Sequence, residues 1–219
     1  EYLEHMRTYR NKFRSNYCIF GKIASKVMEF FIKTDSIGGL TDEQFFHFCQ
    51  ENDTLRIEKN SKGEIIVMAP TGSETGRFNS SINLELGIWN KEHKVGYVFD
   101  SSTGFTLPNG FVRSADAAFI LKERWNAVPK EDRKRFAPVC PDFVIEILSE
   151  SDSQFYLNDK MKDWMTNGCK LAWLIDHKSR TTKVYRPGSE PEVIPFSKAV
   201  EGESVLPGFT LDLTKIFTE

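Results

Sequence analysis

Seven consecutive residues, Asp142-Phe143-Val144-Ile145-Glu146-Ile147-Leu148, constrain this chain more than any others. Five of them are apolar and do not alternate with polar ones. That is the pattern of a strand covered on both faces rather than one with a wet side. Downstream, Leu157, Met161, Trp164 and Met165 form a helical stripe that stops at Asn167-Gly168, and residues 171–176 read as another strand. Strand, helix and strand in that order make the crossover unit of a parallel or mixed sheet. The expected fold class is therefore α/β (α+β), built on a parallel or mixed sheet.

Against that background Glu146 is out of place. An ionised carboxylate in an apolar interior is costly enough to be neutralised, paired or bound to a metal. Asp116 repeats the problem in Ala115-Asp116-Ala117-Ala118-Phe119-Ile120-Leu121. If the two strands are neighbours, both carboxylates point to one place and can hold a hard divalent cation, Mg²⁺ or Mn²⁺, through oxygen ligands. The competing account gives each acid its own arginine, such as Arg113 and Arg77. Pairing is the simpler explanation for one misplaced acid, whereas two favour a site.

Alternation sends Asp142, Val144, Glu146 and Leu148 to one face, so Asp142 is expected to support Glu146 from behind the metal ligands. Hydrolysis of a phosphodiester by metal-bound water also needs a cation or a proton-handling group near the developing charge. The nearest is Lys160, which borders the buried stripe three residues after Leu157 and four before Trp164. It would orient water or help deprotonate it, unless it is a surface lysine paired with Asp163 or Glu150. Lys162 lies about 200° further round the helix and is expected to face solvent. Glu74 sits in the first turn of a helix over residues 73–90 and is a further candidate ligand, although the helix dipole alone also favours acids there.

The remaining elements follow from the same rules. Thr41-Asp42-Glu43-Gln44 is a capping box, and residues 55–59 and 64–68 flank a hairpin turn. The helix over 73–90 is apolar on more than one side and is expected to be buried. Residues 95–99, 104–107 and 111–121 suggest a β-meander, and 122–135 a polar helix or loop with a local basic patch at Lys130, Arg133, Lys134 and Arg135. Residues 181–185 and 192–195 close a second hairpin, with 206–217 packing as a last edge. At the start, Ile19, Ile23, Val27 and Phe30 form a helical stripe. Residues 1–40 are therefore read as an N-terminal helical extension, with a basic run at Arg7, Arg10, Lys12 and Arg14, and 41–217 as the main domain.

Composition removes several function classes. Lys plus Arg number 29 and Asp plus Glu 31, a net charge of −2, so any contact with a polyanion must be local. The four cysteines (Cys18, Cys49, Cys140, Cys169) and four histidines (His5, His47, His93, His177) are dispersed, without C-x-x-C or H-E-x-x-H. Zinc-ribbon, thioredoxin and zinc-protease readings lose their support. Phosphate-binding glycine motifs and the serine-hydrolase elbow are also absent. No apolar run reaches the roughly 20 residues of a membrane helix, and no secretory leader is visible. A cytoplasmic protein without membrane association is expected.

At these same residues the chain resembles the Uma-two family of restriction endonucleases, within the PD-(D/E)XK nuclease superfamily. The resemblance covers about residues 41–217. It is carried by Met68-Ala69-Pro70-Thr71-Gly72-Ser73-Glu74-Thr75-Gly76-Arg77, by Asp100-Ser101-Ser102-Thr103-Gly104-Phe105 and by Leu107-Pro108-Asn109-Gly110. Further on it is carried by Arg113-Ser114-Ala115-Asp116, by Pro141 through Ser149, by Asn167-Gly168, by Trp173-Leu174-Ile175-Asp176 and by Val184-Tyr185-Arg186-Pro187-Gly188. The resemblance implies a restriction-endonuclease-like mixed β-sheet flanked by helices, with Asp116 as the first metal-binding acid and Glu146 as the acid of the (D/E)XK element. Leu148 stands where the superfamily pattern has lysine, and similar proteins are thought to draw a lysine from the following helix, here Lys160.

The implied function is a divalent-metal-dependent endonuclease hydrolysing phosphodiester bonds in DNA. The alternative is a catalytically inactive nuclease-fold module that binds nucleic acid or protein, which Leu148 would permit. A near-neutral chain holds long DNA poorly as one copy, so a homodimer pooling two local patches is the matching expectation.

Overall fold

The doubly covered strand is where the chain places it. In the computed structural model, which describes residues 30–60, 62–149 and 153–218, every residue of Phe143–Leu148 is buried. In chain order the elements are β1 (Phe30–Ile32), α1 (Asp42–Glu51), β2 (Arg56–Lys59), β3 (Ile65–Met68), α2 (Ser73–His93), β4 (Gly96–Asp100), β5 (Phe105–Thr106) and β6 (Val112–Arg113). They continue with β7 (Ala117–Leu121), α3 (Lys122–Ala127), β8 (Phe143–Leu148), α4 (Gln154–Thr166), β9 (Leu171–Asp176), β10 (Thr181–Tyr185), β11 (Glu192–Pro195), β12 (Val200–Glu201), β13 (Thr210–Leu211) and α5 (Leu213–Ile216).

The main sheet runs β11-β10-β9-β8-β7-β4. Its β8 and β9 are parallel and joined through α4, while the other neighbours are antiparallel. One face packs Phe143, Ile145 and Trp173 against Phe78, Ile82 and Trp89 of α2 and against the C-terminal Phe209, Leu213 and Phe217. The other packs Val144, Leu148 and Ala172 against Leu157, Met161 and Trp164 of α4. Each such side chain contributes about 1.5–3 kcal/mol on burial, so the two covers rather than strand propensity hold β8 in place. Helix α4 stops where Gly168 takes φ = 102°, a left-handed conformation that favours glycine.

A second sheet, ordered β1-β3-β2-β6-β5, carries the first hairpin, packed on Phe45 of α1. The capping box that starts α1 is present: Gln44 N donates to Thr41 Oγ1 at 3.2 Å, and Thr41 N donates to Gln44 Oε1 at 2.9 Å.

Several expectations are corrected. Residues 111–121 do not form one strand of a meander: β6 belongs to the second sheet and β7 to the first, because the chain changes sheets at Ser114-Ala115-Asp116. Residues 206–217 do not edge the main sheet; β13 pairs only with β12, and α5 and Phe217 fill the core beneath. Helix α2 is not buried all round, since Leu84 is 61% and Ile88 46% exposed. In the expected basic patch, Lys134 pairs with Glu131, Arg135 with Glu43, and Arg133 donates to the Val128 and Asn126 carbonyls, so most of its charge is engaged locally. Phe30, expected to end a helical stripe, begins β1, which pairs antiparallel with β3. The rest of that stripe and the basic run from Arg7 to Arg14 lie outside the described residues, as does Glu150.

Candidate active site

The crossing from β6 to β7 brings residues of both sheets together. In the β7–β8 ladder Ala117 faces Ile145 and Ala118 faces Val144, so one further step sets Asp116 across from Glu146. The two acids singled out in the sequence are therefore neighbours. Asp116 does not continue the ladder through its backbone; its Oδ2 accepts the N–H of Ile147 at 2.8 Å. Its Oδ1 accepts from Asn79 Nδ2 at 3.0 Å, with Arg56 Nη2 at 3.7 Å. Asn83, one turn along α2, donates to the Asp116 carbonyl at 2.8 Å and so fixes the backbone as well.

Glu146 projects to the α4 face, where Lys160 and Trp164 lie one turn apart. Lys160 Nζ is 3.0 Å from Glu146 Oε1, and Trp164 Nε1 donates to the same oxygen at 2.9 Å. The ammonium also donates to the Ser114 carbonyl at 2.6 Å and lies 3.0 Å from Glu58 Oε1. Its three hydrogens thus have three acceptors. Glu58, on β2, is wholly buried and additionally accepts from Arg113 Nη1 at 2.8 Å, from the Ser114 N–H at 3.2 Å and from the Tyr156 hydroxyl at 3.3 Å. Arg113 in turn reaches Asp163 at 2.7 Å.

Charge decides what this cluster can do. Among the described residues, the four carboxylates of Glu58, Asp116, Glu146 and Asp163 face the three cations of Arg56, Arg113 and Lys160, one acid more than bases. Burial opposes the charge of Glu58, but Lys160, Arg113 and Arg56 hold its pKa at about 2. Glu146 goes the other way: burial raises it to about 7 against the pull of Lys160, and the charges of Asp116 and Glu58 push in the same direction. Burial also opposes the charge of Lys160, yet Glu146 and Glu58 keep it protonated beyond its usual range. Glu146 is thus the acid of the cluster whose charge is least compensated by its surroundings.

The Asp116–Glu146 side opens into a cavity of about 70 Å³, lined by Asp116, Glu146, Lys160, Ser149, Thr75 and Arg56 among others. The structure thus brings Asp116, Glu146 and Lys160 together, and it buries Lys160 instead of leaving it on the surface with Asp163. Lys162 faces solvent, 71% exposed and paired with Asp159.

Two expected site residues are elsewhere. Asp142 shares the face of Glu146 but lies four residues, about 13 Å, back along the strand. Its carboxylate accepts the Leu121 N–H and pairs with Arg124 and Lys170, tying strand ends together. Glu74 is exposed in the first turn of α2 and does not line the cavity, because the adjacent Thr71 and Thr75 take the inward positions. Nor do the arginines named as neutralisers meet Asp116 or Glu146: Arg113 serves Glu58 and Asp163, and Arg77 donates to the Ile216 carbonyl. Sequence reasoning missed Glu58, Asn79 and Asn83. The i,i+4 spacing of the two asparagines on an apolar helix was the available signal.

The donor set suits a magnesium-like ion. Among the described residues no three His, Cys, Asp or Glu side chains form a metal-binding group. Two carboxylates with the remaining positions left to water is how Mg²⁺ is commonly held. The buried Asn79 Oδ1, which has no hydrogen-bond donor among the described residues, adds an acceptor beside Asp116.

The core is thus a mixed α/β sheet with paired acids on neighbouring strands and a lysine from the crossover helix beside them. The family model described as "Uma2: Putative restriction endonuclease" matches residues 42–214, and the chain belongs to that family. Among solved structures the chain is similar to "a putative nuclease belonging to DUF820" from Anabaena variabilis, at 22% identity and a TM-score of 0.66, over 82% of this chain and 99% of that one. At that identity the likeness speaks for the fold. No curated protein matches. Among the described residues no helix is long and apolar enough to cross a membrane.

Proposed function

We propose that this chain is a divalent-metal-dependent endonuclease that hydrolyses phosphodiester bonds in DNA. The observation that carries it is the convergence of Asp116 and Glu146, from adjacent strands, on one cavity that also holds Lys160. Asp116 and Glu146 would hold Mg²⁺ or Mn²⁺, which when bound lowers the pKa of its water and stabilises charge building on the phosphate. The protein's own groups do the positioning. Asn79 and the Ile147 N–H fix the Asp116 oxygens, and Trp164 fixes Glu146.

Lys160 acts as a preset cation facing the developing negative charge. With its three donors engaged and two carboxylates keeping it protonated, it is unsuited to removing a proton, so water activation falls to the carboxylate side. Without a metal, burial raises Glu146 to about 7, and a bound cation would favour its ionised form. DNA rather than RNA rests on the family's description as restriction endonucleases; a cytoplasmic setting and a homodimer belong to the same proposal. Leu148, a buried apolar residue where the superfamily pattern has lysine, permits the inactive-module reading as the alternative.

The test is cleavage of mixed DNA substrates with Mg²⁺ or Mn²⁺ by the unmodified chain, Glu146→Gln and Asp116→Asn, prepared identically. Cutting by the unmodified chain alone is expected. If none of the three cuts, the inactive-module alternative replaces the enzyme.

A further inference from the structure

Beside the acid cavity lies a wider hollow of about 480 Å³, between the end of α1, the start of β2 and the turn after β4. Arg56, Met68 and Pro70 line both spaces, so the two adjoin. The hollow's volume falls within the range of small-molecule sites. Its walls are mixed: Leu55, Met68 and Phe136 offer apolar surface, and Gln50 and Ser102 offer hydrogen-bonding groups. Arg56 is the one cation among the described residues lining it, and Asp53 offsets that charge.

Holding a duplex by its phosphates takes several cations, and this hollow has no net charge. Affinity must come from contact with bases, which is available once a base leaves its stack. The acids point the same way. Asp116 and Glu146 are 7% and 2% exposed, so a scissile phosphate meets them only by entering the acid cavity, a move easier for a strand that has left its helix.

From this geometry, and resting on the nuclease reading above, we infer that the hollow seats an unstacked nucleotide next to the scissile phosphate. The preferred substrate is then single-stranded or frayed DNA. Arg56, at the junction, contacts the phosphate between the two spaces.

The test needs neither metal nor cleavage. Fluorescence anisotropy in EDTA would follow binding of an end-labelled oligothymidylate and of a blunt duplex of equal length to the full chain. The same titrations would use Ser102→Trp and Thr54→Trp, which fill the hollow from two different loops. Val193→Trp, in a separate groove beside β11, is the control. Single strand is expected to bind at least about tenfold tighter than duplex, and each filling variant to lose about tenfold or more. Val193→Trp should bind like the unmodified chain. The logarithmic salt slope should be about −1, the value for one or two phosphates.

Equal or tighter duplex binding, unchanged binding by both filling variants, or no binding of either oligonucleotide overturns the inference. Such a result leaves the nuclease reading to the cleavage assay. A chain that binds single strand but never cuts fails that assay and keeps this hollow.

Discussion

Glu58 and Glu146 lie on opposite sides of one ammonium, each 3.0 Å from Lys160 Nζ and each almost without solvent contact. Yet Glu58 is held at about 2 and Glu146 is raised to about 7. Burial is common to both, so it does not separate them. Neighbours do: Glu58 meets a second cation, a backbone N–H and a hydroxyl, whereas Glu146 has an indole N–H and faces another acid. The Glu58 half of the cluster is a closed, satisfied scaffold. The Asp116–Glu146 half keeps a demand for positive charge, which is what a cation site requires.

The comparison breaks first at Glu58. Glu58→Gln removes the carboxylate that Arg113 and Lys160 share, breaks two buried ion pairs, and should cost about 3–5 kcal/mol in urea unfolding at pH 7. A loss below about 1 kcal/mol would mean that half is not a scaffold. Next comes pH, where the two acids act with opposite sign. Glu58, lowered to about 2, contributes stability above pH 4.5 that is lost as pH falls through its folded pKa. Glu146, raised to about 7, makes the metal-free protein less stable as pH rises from 4.5 through 7, by about 3 kcal/mol. Unfolding curves across pH should show that decline, and Glu146→Gln should flatten it while leaving the acid limb.

A smaller effect sharpens the open half. Asn79→Leu removes the donor that fixes Asp116 Oδ1 and should weaken Mn²⁺ binding about 10–100-fold by calorimetric titration. Unchanged affinity would remove Asn79 from the site. Smallest of all, Lys162→Ala, two residues from Lys160 on the exposed face, should shift stability by less than about 0.5 kcal/mol.

What could be read in advance depended on whether a residue contradicted its local pattern. Glu146 and Asp116 stood out because each interrupts an apolar strand, and Lys160 because it borders a helical stripe. Glu58 gave no such signal: in Arg56-Ile57-Glu58-Lys59 it reads as the wet side of a hairpin. It is buried because β6 pairs beside β2 and brings in Arg113, 55 residues away. Asp142 and Glu74 failed for a related reason. Alternation gives a side chain's face but not its height along the strand, and a first helical turn gives a charge preference but not a direction.

The sequence by itself determined the crossover unit, the doubly covered strand, both hairpins and the two misplaced acids, because periodicity and burial cost are local properties of the chain. The tertiary structure alone decided which carboxylate is closed off and which is left wanting a cation. That depends on the count of donors around each oxygen, and those donors come from β2, β6, α2 and α4, which only folding brings within 3 Å of one another.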